Sequence, residues 1–280
     1  KALSLIDYDD PDSAEFLNLL LQTSSSAACL KTQEGKKLLG HFFHLDAVLR
    51  RKLHKSIRVQ IPDNKKSILK DYGEVYYFAW KDADTDELRE MIEVEILQDL
   101  FYAVLHVANS NLANALLIVL EKFHETKNQK SVEDLLYRLY GPVLWRALSC
   151  ANAIVRVQAT HVLSKVFPLR DPSTKLVLDK PVSVLQDLLQ DPDPRVRVAA
   201  SAAVAEILTM YWDVVSCKDI RTLLNRTYQT IAFGIDTHSL QILSPSTLRT
   251  QLLQPFEPEQ CGPSHTCSTR PSRTPFCANF

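Results

Sequence analysis

Two histidines, a glycine pair and one run of basic residues are the places where this sequence could do chemistry. His41 and His44 are three apart, so a helix would turn both to one side. A zinc site needs at least three protein ligands, and no third stands at hand, so ordinary partly exposed histidines are expected. Gly35 and Gly40 have the spacing of a phosphate-binding loop, but His41 and Phe42 follow where that loop requires Lys and then Ser or Thr. The stretch also carries a helical apolar stripe, which excludes the loop. No G-x-S-x-G, H-E-x-x-H or G-x-G-x-x-G occurs. The carboxylates fall on helix faces and at caps. No catalytic residue, cofactor site or metal site is expected, and the chain is read as non-enzymatic.

The basic run is the charged feature with functional promise. Between Lys31 and Lys70 there are 11 basic and 3 acidic residues, while the whole chain has a net charge of −1. Arg51, Lys55 and Arg58 fall at i, i+4 and i+7, largely opposite an apolar stripe, with His54 on the same side. Such a line can track a phosphate backbone, with an affinity set by salt and indifferent to base sequence. The DNA-binding candidates are Lys36, Lys37, Arg50, Arg51, Lys55, Arg58, Lys65 and Lys66. The competing reading is a solvated face, neutralised by the acidic helix that follows with Asp84, Asp86, Glu87, Glu90, Glu93 and Glu95. Trp80, Trp145 and Trp212, with Tyr76 and Tyr77, have the types that stack on bases, but their helical spacing fits core packing better.

The elements that must position these residues are helical. Only 6 of 280 residues are Gly and 46% are hydrophobic, which favours helices and allows a sizeable core. No apolar run reaches membrane-spanning length, and no signal peptide is visible. The chain begins at Lys1 and reads as a piece of something longer. Cys29, Cys150, Cys217, Cys261, Cys267 and Cys277 show no C-x-x-C spacing, and a reducing, intracellular compartment is the simplest reading.

Asp12 is expected to cap a short apolar stretch, Phe16 to Leu21. Periodicity predicts one helix from Thr32 through Leu38, Leu39, Phe42, Leu45, Leu49, Leu53 and Ile57, ended by Pro62. Asn64 is placed to cap the next helix. A third opens at Asp84 or Thr85 and runs to Leu105, a fourth covers Asn111 to Phe123, and Ser131 caps a fifth from Val132 to Tyr140. Gly141-Pro142 is expected to break the chain.

From there the sequence repeats. Residues 143–167 match 184–208 at an offset of 41, pairing Leu148 with Leu189, Asn152 with Asp193, Val155-Arg156-Val157 with Val196-Arg197-Val198, and Ala159 with Ala200. A self-match near 40 residues with two helices per unit marks a HEAT-type solenoid. The fold class is therefore all-α, an α-α superhelix of HEAT or ARM-like kind. The solenoid is assigned to 1–233, with its clearest repeats at 142–168 and 182–213. Arg156 and Arg197 recur at one repeat position and are expected to make structural contacts between successive repeats. A last helix is expected from Cys217 to Ile231. Six of the 14 prolines lie from Pro245 onward and periodicity stops, so 234–280 is read as disordered or foreign to the fold.

Four segments also carry a family resemblance: residues 132–146 (VEDLLYRLYGPVLWR), 167–172 (FPLRDP), 34–39 (EGKKLL) and 73–81 (GEVYYFAWK). Together they resemble the G-type HEAT-repeat subunit of condensin II, from about residue 1 to 233, and the family pattern stops after Phe233. The resemblance implies a nuclear, chromosome-associated and non-catalytic scaffold in a hetero-oligomeric complex. Its implied partners are the kleisin subunit, the SMC ATPases that hydrolyse ATP, DNA or chromatin, and methylated histone tails. It implies no membrane and no cofactor. A HEAT-type adaptor binding only proteins, of transport or phosphatase kind, is the alternative, and exposure of the basic segment separates the two.

Overall fold

The computed structural model describes residues 3, 6–8, 10–24, 26–169 and 179–234. Among these there are α-helices, short 3-10 turns and one π segment, and no strand. The expectation for the tail lies outside the described residues.

A 3-10 turn at Pro11–Ser13 leads into α1 (Ala14–Ser24). Asp10, not Asp12, supplies the cap, accepting the Asp12 backbone N–H at 3.0 Å. After a single turn, α2 (Ala27–Leu30), Thr32 caps α3 (Gln33–Leu45). The predicted single helix from Thr32 to Ile57 is in fact two. Asp46 is extended (φ −155°, ψ 152°) and its side chain caps α4 (Ala47–Gln60) by accepting from the Val48 and Leu49 N–H groups. Within α3, Leu38 is exposed while Leu39, Phe42 and Phe43 are buried.

Helix α5 (Lys66–Lys81) begins after Lys65, which makes no side-chain cap; Asn64 instead bonds back to the Gln60 carbonyl. Thr85 caps α6 (Asp86–Ile92), which passes through a π turn at Glu93–Leu97 into α7 (Gln98–His106). Then come α8 (Ser110–Glu125), capped by Asn109, and α9 (Lys130–Leu148). Gly141-Pro142 does not break α9. Tyr140 and Leu144, either side of it, are fully buried, and their packing outweighs the missing Pro142 N–H. The last elements are α10 (Ala153–Val166), α11 (Asp179–Leu188), α12 (Pro194–Tyr211) and α13 (Cys217–Gly234).

The helices stack in two rows. One runs α3, α5, α8, α10, α12, each packed on the next. The other holds α4, the π turn with α7, and α9, with α11 packed on α13. This is an all-α solenoid: no helix pair can bury its own apolar face, and stacking makes the core continuous. Tyr77 and Trp80 of α5, Phe101 of α7, Phe123 of α8 and Tyr140 of α9 form an aromatic seam, with Phe101 and Tyr140 centred 4.4 Å apart. Tyr76, Tyr77 and Trp80 are thus core residues, as their spacing predicts, and Trp145 is partly buried against the core, but Trp212, at the end of α12, is exposed.

The 41-residue repeat has a physical counterpart. Asn152 and Asp193 both cap, accepting from Ile154 and Arg195 N–H. Lys165 and Glu206, at equivalent positions of successive units, form an ion pair.

Candidate functional site: a basic face on α4

Leu49, Leu53 and Ile57 bury one side of α4 completely. Burial of that stripe fixes the helix and turns Arg51, Lys52 and Lys55 outward, where all three are exposed. Arg51 donates only to the Ala47 carbonyl in its own helix, at 3.2 Å. Among the described residues, no carboxylate lies within ion-pair distance of Arg51 or Lys55.

Arg58 is half-buried on the same line. Its Nε donates to Asp99 Oδ2 at 3.1 Å, and His54 Nε2 lies 3.1 Å from the same oxygen. His54 Nδ1 is 2.9 Å from the hydroxyl of Tyr76, which is fully buried. The hydrogen bond from His54 holds the Asp99 carboxyl below its usual range, helped by the Arg58 charge and opposed by partial burial.

Two of the predicted contact residues do not belong to this face. Lys36 is buried and paired with Asp71 and Glu74 of α5. Burial opposes its charge, but the hydrogen bonds it donates to Glu74 and Asp71 outweigh that and raise its pKa. Arg50 is 3% exposed: Nε donates to the Phe43 carbonyl at 2.8 Å and Nη1 to Glu95 at 3.2 Å. Both are internal struts, because each sits one position off the solvent line and faces a carboxylate from a helix 35 to 45 residues away. The acidic stretch after α5 therefore neutralises part of the basic segment and leaves part of it open. Lys70 pairs with Glu121 of α8.

The remaining candidates are exposed. Lys37 lies 5.7 Å from the centre of the Phe78 ring on α5. Lys65 immediately precedes α5 and Lys66 opens it, reached from α4 through the turn Ile61–Asp63. A helix N-terminus carries partial positive charge, so two lysines there, with no side-chain cap, suit an incoming anion. Arg156 and Arg197 are far from this surface, at the starts of α10 and α12.

A second concavity, about 840 Å3, lies between α6, the π turn and α9, with Trp80, Glu90, Val94, Asp134 and Leu139 in its walls. Its one nearly buried carboxylate, Glu93, accepts from Trp80 Nε1 and from Arg138 Nη2, all at 2.8 Å. Sequence reasoning placed Glu93 on a solvated face; its partners lie 13 and 45 residues away, which no local pattern reveals. His44 bonds to the Ala79 carbonyl, and His41 is exposed beside it. Among the described residues no group of three His, Cys, Asp or Glu could hold a metal, and no helix is long and apolar enough to cross a membrane.

Residues 22–171, which include α4 and its partners, match the family model described as condensin II non structural maintenance of chromosomes subunit. Condensin-2 complex subunit G2 of Mus musculus is 32% identical over 243 residues, 85% of this chain. The Homo sapiens protein of that name is 31% identical over 86% of the chain, and that of Danio rerio 33% over 83%. The chain spans only 21% to 22% of the length of these relatives.

Proposed function

The chain belongs to the family of condensin II non-SMC subunits, and from that premise we propose that it is a non-catalytic scaffold segment, binding the kleisin subunit and DNA in mitotic chromosome condensation. Its place is the nucleus, on chromosomes, within a hetero-oligomeric complex that also holds the SMC ATPases. The observation that carries the DNA half is the exposed cationic line of Arg51 and Lys55 on α4, continued by Lys65 and Lys66 at the positive end of α5. Lys37 and Arg58 flank it. The kleisin half rests on shape: the concavity between α6 and α9 offers Val94 and Leu139 beside the carboxylates of Glu90 and Asp134.

The test is binding of the full chain to duplex DNA across a salt series, with an Arg51→Glu/Lys55→Glu variant. Binding that falls steeply with salt and is lost in the variant, at unchanged helicity, is the expected result. Equal affinity of the variant removes α4 from the account.

An adaptor binding only proteins is the second reading, favoured by the internal neutralisation of Lys36 and Arg50. It predicts no DNA binding by folded protein, alone or with the kleisin fragment.

A further inference from the structure

Resting on the DNA-binding reading of α4, we infer that Arg58 and His54 form a phosphate subsite, and that the Asp99 carboxylate occupies it in the free protein in place of a backbone phosphate.

One oxygen, Asp99 Oδ2, meets Arg58 Nε and His54 Nε2, each at 3.1 Å. Two nitrogens one turn apart on a single helix thus converge on one anionic oxygen. A phosphodiester oxygen has the same acceptor chemistry, and a charge-assisted contact of this kind suits either anion. The subsite is held ready from beneath. Tyr76 is fully buried and its hydroxyl lies 2.9 Å from His54 Nδ1. With Nε2–H donating to the carboxylate, Nδ1 accepts the Tyr76 O–H, an assignment that follows from the bonding pattern. The ring is therefore oriented whether or not Asp99 is present.

Asp99 itself is free to leave. Its side chain is 48% exposed, while those of His54 and Arg58 are 12% and 28% exposed. The donors are set into the surface and the acceptor lies over them, in the first turn of α7. The internal ion pairs of this segment differ: Lys36, at 7%, and Arg50, at 4%, are sealed in. Arg51 and Lys55 continue the line away from the subsite, so a strand tracking them reaches Arg58 next. Asp99 is then a competitor that DNA must displace, and it holds wild-type affinity below what the face can deliver.

The test uses the full chain, random-sequence duplex DNA and a salt series on wild type, Asp99→Asn and Glu87→Gln. Glu87 is exposed on α6 and lies outside both the subsite and the concavity, so Glu87→Gln makes the same charge change away from either. Asp99→Asn should bind roughly three- to tenfold more tightly, and its slope of log K against log salt should steepen by about one contact. Glu87→Gln should change affinity less than about twofold, as expected of a screened distant charge. Arg58→Gln should then weaken the Asp99→Asn protein more than it weakens wild type. Asp99→Ala, which removes the acceptor altogether, should act in the same direction. If Asp99→Asn behaves like Glu87→Gln, or Arg58→Gln costs the same in both backgrounds, the subsite is overturned while the α4 reading stands. If wild type and Asp99→Asn both fail to bind at low salt, the DNA reading falls and takes the subsite with it.

Discussion

Arg156 and Asp191 are joined by two hydrogen bonds of 2.7 Å, Nε to Oδ2 and Nη2 to Oδ1, across the boundary between successive helix pairs. The free Nη1 of Arg156 reaches back to the carbonyls of Cys150 and Ala151 at 2.8 and 2.9 Å. Arg197 makes the same backward reach to Asp191 and Pro192 carbonyls. One side chain per unit thus satisfies the turn that enters the helix, and in the first unit it also grips the next. Asp191 further accepts the Asp193 N–H at 2.8 Å, so it belongs to both units.

The first prediction follows from that geometry. Arg156→Ala leaves the Asp191 carboxylate nearly buried without its partner, and should cost about 3 to 4 kcal/mol. Asp191→Ala should cost a similar amount. The double variant should lose less than the sum, because the second deletion removes a charge already stranded. Chemical denaturation of the four proteins measures it, and strict additivity would mean the pair carries no coupling.

How much of this was legible in the sequence depends on where the deciding partner lies. The 41-residue match found the repeat because it is a pattern of types along the chain. The helix starts at Thr32 and at Thr85 were legible because a cap is settled within three residues. Asp46 was not, since the apolar stripe runs unbroken across it and only its extended backbone shows the break. Lys36 and Arg50 read as surface charge because composition cannot see Asp71, Glu74 or Glu95 across the stack. Pro142 misled for the opposite reason: a strong local rule yielded to the burial of Tyr140 and Leu144.

Pro142 therefore yields the second prediction. Inside α9 it withholds the N–H that would bond the Arg138 carbonyl, a cost of about 3 kcal/mol in a helix interior. Its ring is exposed, so little packing is lost on replacement. Pro142→Ala should stabilise the chain by about 2 kcal/mol, the gain being trimmed by the greater freedom of the unfolded chain. A lower denaturation midpoint in the variant would show that the proline is needed for the path of α9.

The third prediction concerns acid. His124 is buried against Tyr140, whose hydroxyl lies 3.2 Å from its Nε2. Burial pushes its pKa down to about 3, aided by the charges of Lys127 and Lys165. The unfolded chain binds a proton at His124 below about pH 6.5 and the folded chain does not until about pH 3. Between those values stability falls as pH falls, by about 1.4 kcal/mol per pH unit from this group. Asp99 and Glu74, whose pKa values are lowered in the fold, also withdraw stability as pH falls, but they remain in a His124→Phe variant. The difference in stability between wild type and His124→Phe should thus change with pH below 6.5 and be flat above it. A difference that is level from pH 7 to pH 4 would show that His124 titrates normally.

The last prediction sets helix propensity against close packing. Gly73 lies mid-way along α5, where an alanine ordinarily favours an exposed helix by about 1 kcal/mol. Here a Cβ on residue 73 would stand 2.3 Å from the carbonyl oxygen of Val119 in α8. That neighbour is backbone, and it belongs to a helix whose own side chains Leu116, Val119, Leu120 and Phe123 are fully buried. No rotamer change can relieve the clash, so α5 and α8 must move apart along the seam that Tyr77, Trp80 and Phe123 fill. Overpacking of that kind costs about 1 to 3 kcal/mol and outweighs the propensity gain. Gly73→Ala should therefore lower the thermal transition. Gly141→Ala should not, because a Cβ there meets only the Tyr137 ring, at 3.6 Å. Stabilisation by Gly73→Ala would mean that α5 and α8 do not approach this closely.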